Sequence, residues 1–183
     1  MKRDLEISII IPCKDEEKNL SQLLPYLNNN SDTESLEIIV VNANDCKTTQ
    51  KICAKNNATY IVSNKAQRAT QLNLGAKSAS SPILYFLHAD AMPPKTFHDH
   101  IIRSIEKGYQ MGIFSMKFDS DHPMLKINER FNKKDNLFTG GGDQSLFILA
   151  EKFQSLGGYD ESHLIMEDFE FYKRARQELN NII

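Results

Sequence analysis

No stretch of the sequence approaches the ~18 consecutive apolar residues that a membrane-spanning helix requires. The first residues, Met1-Lys-Arg-Asp-Leu-Glu-Ile-Ser, lead straight into a strand-like segment without the apolar core of a secretory signal. Nothing is therefore expected to cross a bilayer. Cysteine is scarce: Cys13, Cys46 and Cys53 form neither a Cys-x-x-Cys pair nor an even set, which argues against a disulfide framework or a structural zinc site. A reducing, cytoplasmic setting fits this usage best. Basic excess is missing too, with 22 Lys+Arg against 24 Asp+Glu, so nucleic acid is not expected as a partner. Internal repeats, linkers and low-complexity segments are absent.

What is present is an ordinary globular composition, 183 residues with 40% apolar and 25% charged content. A single domain of that size can bury roughly 70% of the surface its unfolded chain exposes. Residues 7–11 form a β-branched apolar run stopped by Pro12, the pattern of a strand covered on both faces. Similar runs recur at 37–41, 59–62 and 83–87. Between them lie helical stripes: Leu20, Leu23, Leu24 and Leu27; then Ala69, Leu72 and Ala76 within 67–78, continued by Ala79; then Phe97, Ile101, Ile102 and Ile105 within 94–107. Pro25 is expected to kink or shorten the first of these helices. Alternation of this kind predicts an α/β fold with a mainly parallel central sheet flanked by helices, whose ligands bind beyond the carboxyl ends of the strands. After Gly108 the rhythm changes to α+β decoration. Met111 to Phe118 alternates like an antiparallel strand, 123–134 looks amphipathic, a Gly140-Gly141-Gly142 loop precedes an apolar run at 145–149, and a last helix follows the Gly157-Gly158 turn from about Met166 to Leu179. We read residues 1–183 as one domain with two halves, 1–107 and 108–183.

Polar clusters stand at three predicted strand ends: Pro12-Cys-Lys-Asp15-Glu16-Glu17, Asn42-Ala-Asn-Asp45 and His88-Ala-Asp90. Glu16 and Glu17 equally suit the start of a helix, where carboxylates complement the dipole. Asp90, turned out by Pro93-Pro94, is a hard oxygen ligand suited to Mg²⁺ or Mn²⁺, and such an ion would support a departing diphosphate. His88 could instead hydrogen-bond neighbouring backbone. Gly140-Gly141-Gly142-Asp143-Gln144 is a glycine-rich loop ending in an acid and an amide, and Met166-Glu167-Asp168 places paired carboxylates at the last helix start. Together these acids are the parts that metal-assisted displacement with a general base needs.

The order ISIIIPCKDEE, EIIVVNAND, QRATQLNLGA, LYFLHAD, GGGDQSLF and GGYDE…MEDFEFYKRAR resembles an inverting family 2 glycosyltransferase with the GT-A, nucleotide-diphospho-sugar transferase fold. More narrowly, it resembles the small bacterial branch named for arsenosugar biosynthesis. The resemblance implies that Pro12, Asp15 and Glu16 lie against the nucleotide. It puts Arg68 and Asn73 on the helix facing the donor, and His88-Ala89-Asp90 where the family's DxD motif binds metal and diphosphate. Asp168, beside Glu167, matches the general base, and Gly142-Asp143-Gln144 falls on the loop that meets donor sugar and acceptor. Asn42 stands where the wider family has a nucleotide-contacting Asp, and His88 replaces the first acid of DxD, leaving Asp90 as the metal ligand. Relatives continue beyond the last helix with a basic, amphipathic tail, from which a peripheral membrane contact is expected.

The expected activity is inverting transfer of a sugar from a nucleotide diphosphate donor to an acceptor hydroxyl, assisted by a divalent cation. Two alternatives remain at this stage. A nucleotidyltransferase shares the acid-edged sheet but wants a Gly-rich, basic loop after the first strand, and 12–19 contains no glycine. A non-catalytic nucleotide-sugar-binding domain is compatible with Asn42 and Lys47.

Overall fold

The computed structural model describes residues 6–31, 35–114, 145–163 and 165–183. Strands β1 (Ile7–Cys13), β2 (Leu36–Asn42), β3 (Thr59–Val62) and β4 (Ile83–Phe86) alternate with helices α1 (Glu17–Asn29), α2 (Lys47–Lys55) and α3 (Arg68–Ser78). Helix α4 (Phe97–Glu106), β5 (Met111–Phe114), β6 (Ser145–Leu149), α5 (Ala150–Ser155) and α6 (Glu167–Glu178) follow. The strands form one six-stranded sheet in the order β3-β2-β1-β4-β6-β5. Strands β1 to β4 pair in parallel, while β6 runs antiparallel between β4 and β5. The last two strands are thus part of the same sheet rather than added to it. Among the described residues no helix is long and apolar enough to cross a membrane.

Strand alternation divides the core into two layers. Ile7, Ile9, Ile11 and Cys13 of β1 face Leu20, Leu23, Leu24 and Leu27 of α1, Cys53 of α2, and Phe97 and Ile101 of α4. Ile10 faces the opposite side, against Ala69 and Leu72 of α3, Phe153 of α5, and Phe171 and Ala175 of α6. Helix α3 lies so close to the sheet that a Cβ on Gly75 would meet Ile10 Cγ2 at 2.4 Å and Val41 Cγ2 at 3.1 Å.

The expected stop of the first strand at Pro12 is corrected, and the first helix is not shortened at Pro25. Strand β1 continues through Pro12, which pairs with Val41, to Cys13. Pro12 shares the strand side of Ile10, whose carbonyl accepts from Leu87, and the β1–β4 ladder ends at Ile10. The missing N–H therefore costs no ladder bond. Helix α1 likewise runs four residues past Pro25 to Asn29. All four leucines of its stripe are fully buried, and burying such side chains contributes about 1.5–3 kcal/mol each, together more than the roughly 3 kcal/mol that an interior proline costs.

Candidate functional site

The carboxyl ends of β1 and β4 lie side by side, and the first residues of α3 and α6 close over them. Arg68 opens α3, and Glu167 and Asp168 open α6. Arg68 Nε lies 3.1 Å from Glu167 Oε1, and its Nη2 lies 3.2 Å from Asp168 Oδ2. The same guanidinium donates to the ring of His88, two residues past β4. His88 Nε2 is 3.9 Å from Asp168 Oδ2. The two carboxylates, adjacent in sequence, thus share one cation. Pro12, Leu72, Phe86, Leu87 and Leu146 join Arg68, His88 and Asp168 in lining a small cleft at this edge. Glu167 is buried, whereas the Asp168 side chain keeps 21% exposure.

A polar frame fixes α6 relative to α3. Asn73 Oδ1 accepts from the Tyr159 amide at 2.9 Å, and its Nδ2 donates to the Tyr159 carbonyl at 2.9 Å and to Glu161 Oε1 at 3.1 Å. Thr70 donates to Glu161 Oε2 at 2.9 Å, and Gln67 donates to the carbonyls of Glu161 and His163. On the other flank Arg174 pairs with Glu170 at 2.8 Å and donates to the carbonyls of Leu156 and Gly158. Its guanidinium holds the Glu170 carboxyl below the usual carboxylate range. Tyr159 is packed among Phe86, Phe153 and Phe171. Burial, and next the charge of Asp168, push its hydroxyl well above the ordinary tyrosine value, so it stays protonated beside the acid.

The other expected site residues occupy the same sheet edge with differing surroundings. Asp15 is exposed and adopts the left-handed region at φ 57°, as does Met166 at φ 62° just ahead of Glu167. Such backbone costs roughly 1–3 kcal/mol at a non-glycine residue and gathers at functional sites. Glu16 accepts from Asn19 at 2.6 Å. Glu17 is structural: it accepts from Cys46 and Thr49 at 3.1 Å each, tying α1 to α2, and these bonds lower its pKa. Asn42 is buried at the end of β2, and its Oδ1 has no hydrogen-bond partner among the described residues. Asp90 is exposed and makes no hydrogen bond or ion pair among them. Burial pushes the Cys13 thiol up to about 12, which removes it as a nucleophile near neutral pH. Asp143 and Gln144, with the three glycines before them, lie outside the described residues.

Two residues that shape this edge were given no role by the motifs. Gln71, 5% exposed, donates to the carbonyls of Cys13 at 2.9 Å and Val41 at 2.7 Å, joining α3 to the ends of β1 and β2. Thr70 and Gln71 fall between the apolar Ala69 and Leu72, and a polar side chain next to a buried stripe must find hydrogen bonds. That placement was the available clue.

A mainly parallel sheet with helices on both faces and acids on its carboxyl edge is the GT-A arrangement of glycosyltransferases. The chain belongs to glycosyl transferase family 2, whose profile matches residues 8–155. No curated protein matches it. Among solved structures it is similar to S. aureus TarS 1-349 in complex with UDP, at 16% identity and a TM-score of 0.81, covering 97% of this chain and 57% of that one. It is similar also to the mannosyltransferase PcManGT of Pyrobaculum calidifontis in complex with GDP-Man and Mn2+, at 16% identity and TM-score 0.72, covering 98% and 55%. Glucosyl-3-phosphoglycerate synthase of Mycobacterium tuberculosis in complex with UDP follows, at 13% identity and TM-score 0.69, covering 97% and 69%. The chain spans a little over half the length of the TarS 1-349 chain.

Proposed function

We propose that this chain transfers a sugar from a nucleoside diphosphate donor to an acceptor hydroxyl with inversion at the anomeric carbon, and that Asp168 is the base. The observation that carries the reading is the meeting of Asp168 with His88 at the carboxyl edge of β4, 3.9 Å apart, in a family 2 chain. Asp168 takes the proton of the acceptor hydroxyl as its oxygen attacks the anomeric carbon. The carbon–oxygen bond to the diphosphate breaks with it, and the nucleoside diphosphate departs. Attack from the face opposite the leaving group inverts the centre.

The nucleotide would rest along Pro12, Asp15, Glu16 and Asn42. The buried Asn42 Oδ1, which has no partner among the described residues, can accept from an N–H on the edge of a base, a bond whose absence leaves a costly buried acceptor. His88 would face the donor phosphates, and the family resemblance gives Asp143 and Gln144 to donor sugar and acceptor. Asp90 suits a divalent ion: it is an exposed carboxylate with no hydrogen bond or ion pair among the described residues, and Mg²⁺ or Mn²⁺ commonly takes one or two carboxylates plus phosphates and water. No group of three ligating side chains exists among the described residues. When bound, such an ion supplies positive charge to the departing diphosphate. The neighbours' Mn2+, UDP and GDP-Man support this choice. A cytoplasmic location and the narrower likeness to the arsenosugar-named branch belong to this proposal and rest on the sequence.

A thermal-shift screen of nucleoside diphosphates with and without Mn²⁺ tests it, because a ligand of the native state raises Tm. One diphosphate is expected to raise Tm more with Mn²⁺ than without, and Asp90→Asn is expected to remove that increment. Shifts absent for every nucleotide would refute the reading.

A further inference from the structure

Arg68 lies on the helix expected to face the donor, yet its guanidinium is turned to the acids of α6. Nε takes Glu167 Oε1 at 3.1 Å and Nη2 takes Asp168 Oδ2 at 3.2 Å, while the ring of His88 receives the same Nη2. Asp168 Oδ2 is closed off from solvent, although its side chain as a whole keeps 21% exposure. One oxygen of this carboxylate therefore faces the cation inside, and Asp168 also lines the cleft.

We propose that Arg68 is the positioning residue of the base, fixing the inward oxygen of Asp168 so that an acceptor hydroxyl meets Oδ1 in one orientation, and that it is not a donor ligand. This rests on the reading of Asp168 as the base. The geometry asks for a guanidinium. A planar fork can engage two carboxylates through different nitrogens, whereas an ammonium offers a single point charge. The second carboxylate has a role in this arrangement: Glu167 Oε1, 3.1 Å from Nε, adds a buried negative charge that holds the guanidinium at this place. Helix α3 is itself immobilised against the sheet through Gln71 and Gly75 and against residues 158–163 through Asn73 and Thr70. Its first residue is a firm anchor point for that reason. A base held on a soft anchor would lose rate steeply, since misplacement by about 1 Å can cost on the order of 100-fold.

The test compares Arg68→Lys, which keeps the charge, with Arg68→Met, which removes it. Dissociation constants for UDP and GDP with Mn²⁺ and turnover of UDP-GlcNAc and GDP-Man, followed as diphosphate release, are measured for each. Positioning predicts that kcat falls roughly 10-fold or more in both variants, with donor KM and diphosphate affinity within about threefold of the parent protein and partial recovery in Lys relative to Met. A large loss of diphosphate affinity would overturn the proposal by making Arg68 a donor ligand, and unchanged kcat in both would overturn it as well. If the parent protein turns over neither sugar nucleotide, the transferase reading fails for these donors on its own. The crystal structure of Arg68→Lys then decides positioning: Asp168 rotated or split into two conformers supports it, and an unmoved Asp168 overturns it.

Discussion

Asn73 grips Tyr159 by its backbone, accepting from the amide and donating to the carbonyl at 2.9 Å in each case. One side chain thereby replaces a pair of strand-like hydrogen bonds between α3 and the turn that leads into α6. Substituting Asn73 with Ala leaves a backbone N–H without its partner, a loss of about 1–3 kcal/mol. For a chain of this size each kcal/mol lowers Tm by about 2–4 °C. A calorimetric scan is expected to show a fall of several degrees, and an unchanged Tm would mean that solvent replaces the clamp.

Gly158, next to that clamp, has two reasons to be glycine. Its φ is +71°, and a Cβ there would lie 2.7 Å from Asn73 Oδ1. Gly158→Ala is expected to destabilise by at least the roughly 1–3 kcal/mol of left-handed strain, and more than Gly157→Ala, where φ is +79° but nothing lies within 4 Å of the added carbon. Urea unfolding of the two variants checks the order.

The Glu170–Arg174 pair gives stability a pH dependence. Glu170 is lowered chiefly by the hydrogen bond from Arg174, so the folded state favours the carboxylate. Its contribution is fully present above the unfolded value near 4.3 and is lost as pH falls through the lowered folded value. The Tm difference between the parent protein and Glu170→Gln is expected to be constant near neutrality and to shrink on acidification below about pH 4.3. A gap that widens in acid would contradict the sign.

Much of the first half was legible because burial on both faces writes β1, β2 and β4 as apolar runs and amphipathic packing writes α1, α3 and α4 as stripes. Strands 59–62 and 145–149 matched the residues observed. The place of β6 between β4 and β5 was not legible, because strand order depends on long-range pairing that no local pattern encodes. Pro12 and Pro25 misled for the same reason: a ladder that ends at Ile10 and four buried leucines are tertiary facts. In the site, Asp168 and His88 were readable from their motifs and do meet. The orientation of Arg68 was not, since α3 offers a guanidinium equally well to a phosphate or to the acids of α6.

Asp168→Asn tests the proposed base most directly, because it preserves shape while removing the carboxylate charge that would accept the proton. Diphosphate release from a donor that the parent protein uses, measured beside affinity for the matching nucleoside diphosphate, separates chemistry from binding. With Asp168 as the base, kcat is expected to fall at least about 100-fold with affinity nearly intact, and the effect is expected to be milder in Glu167→Gln, whose carboxylate is buried against Arg68 Nε. Turnover within a few-fold of the parent in Asp168→Asn would contradict it.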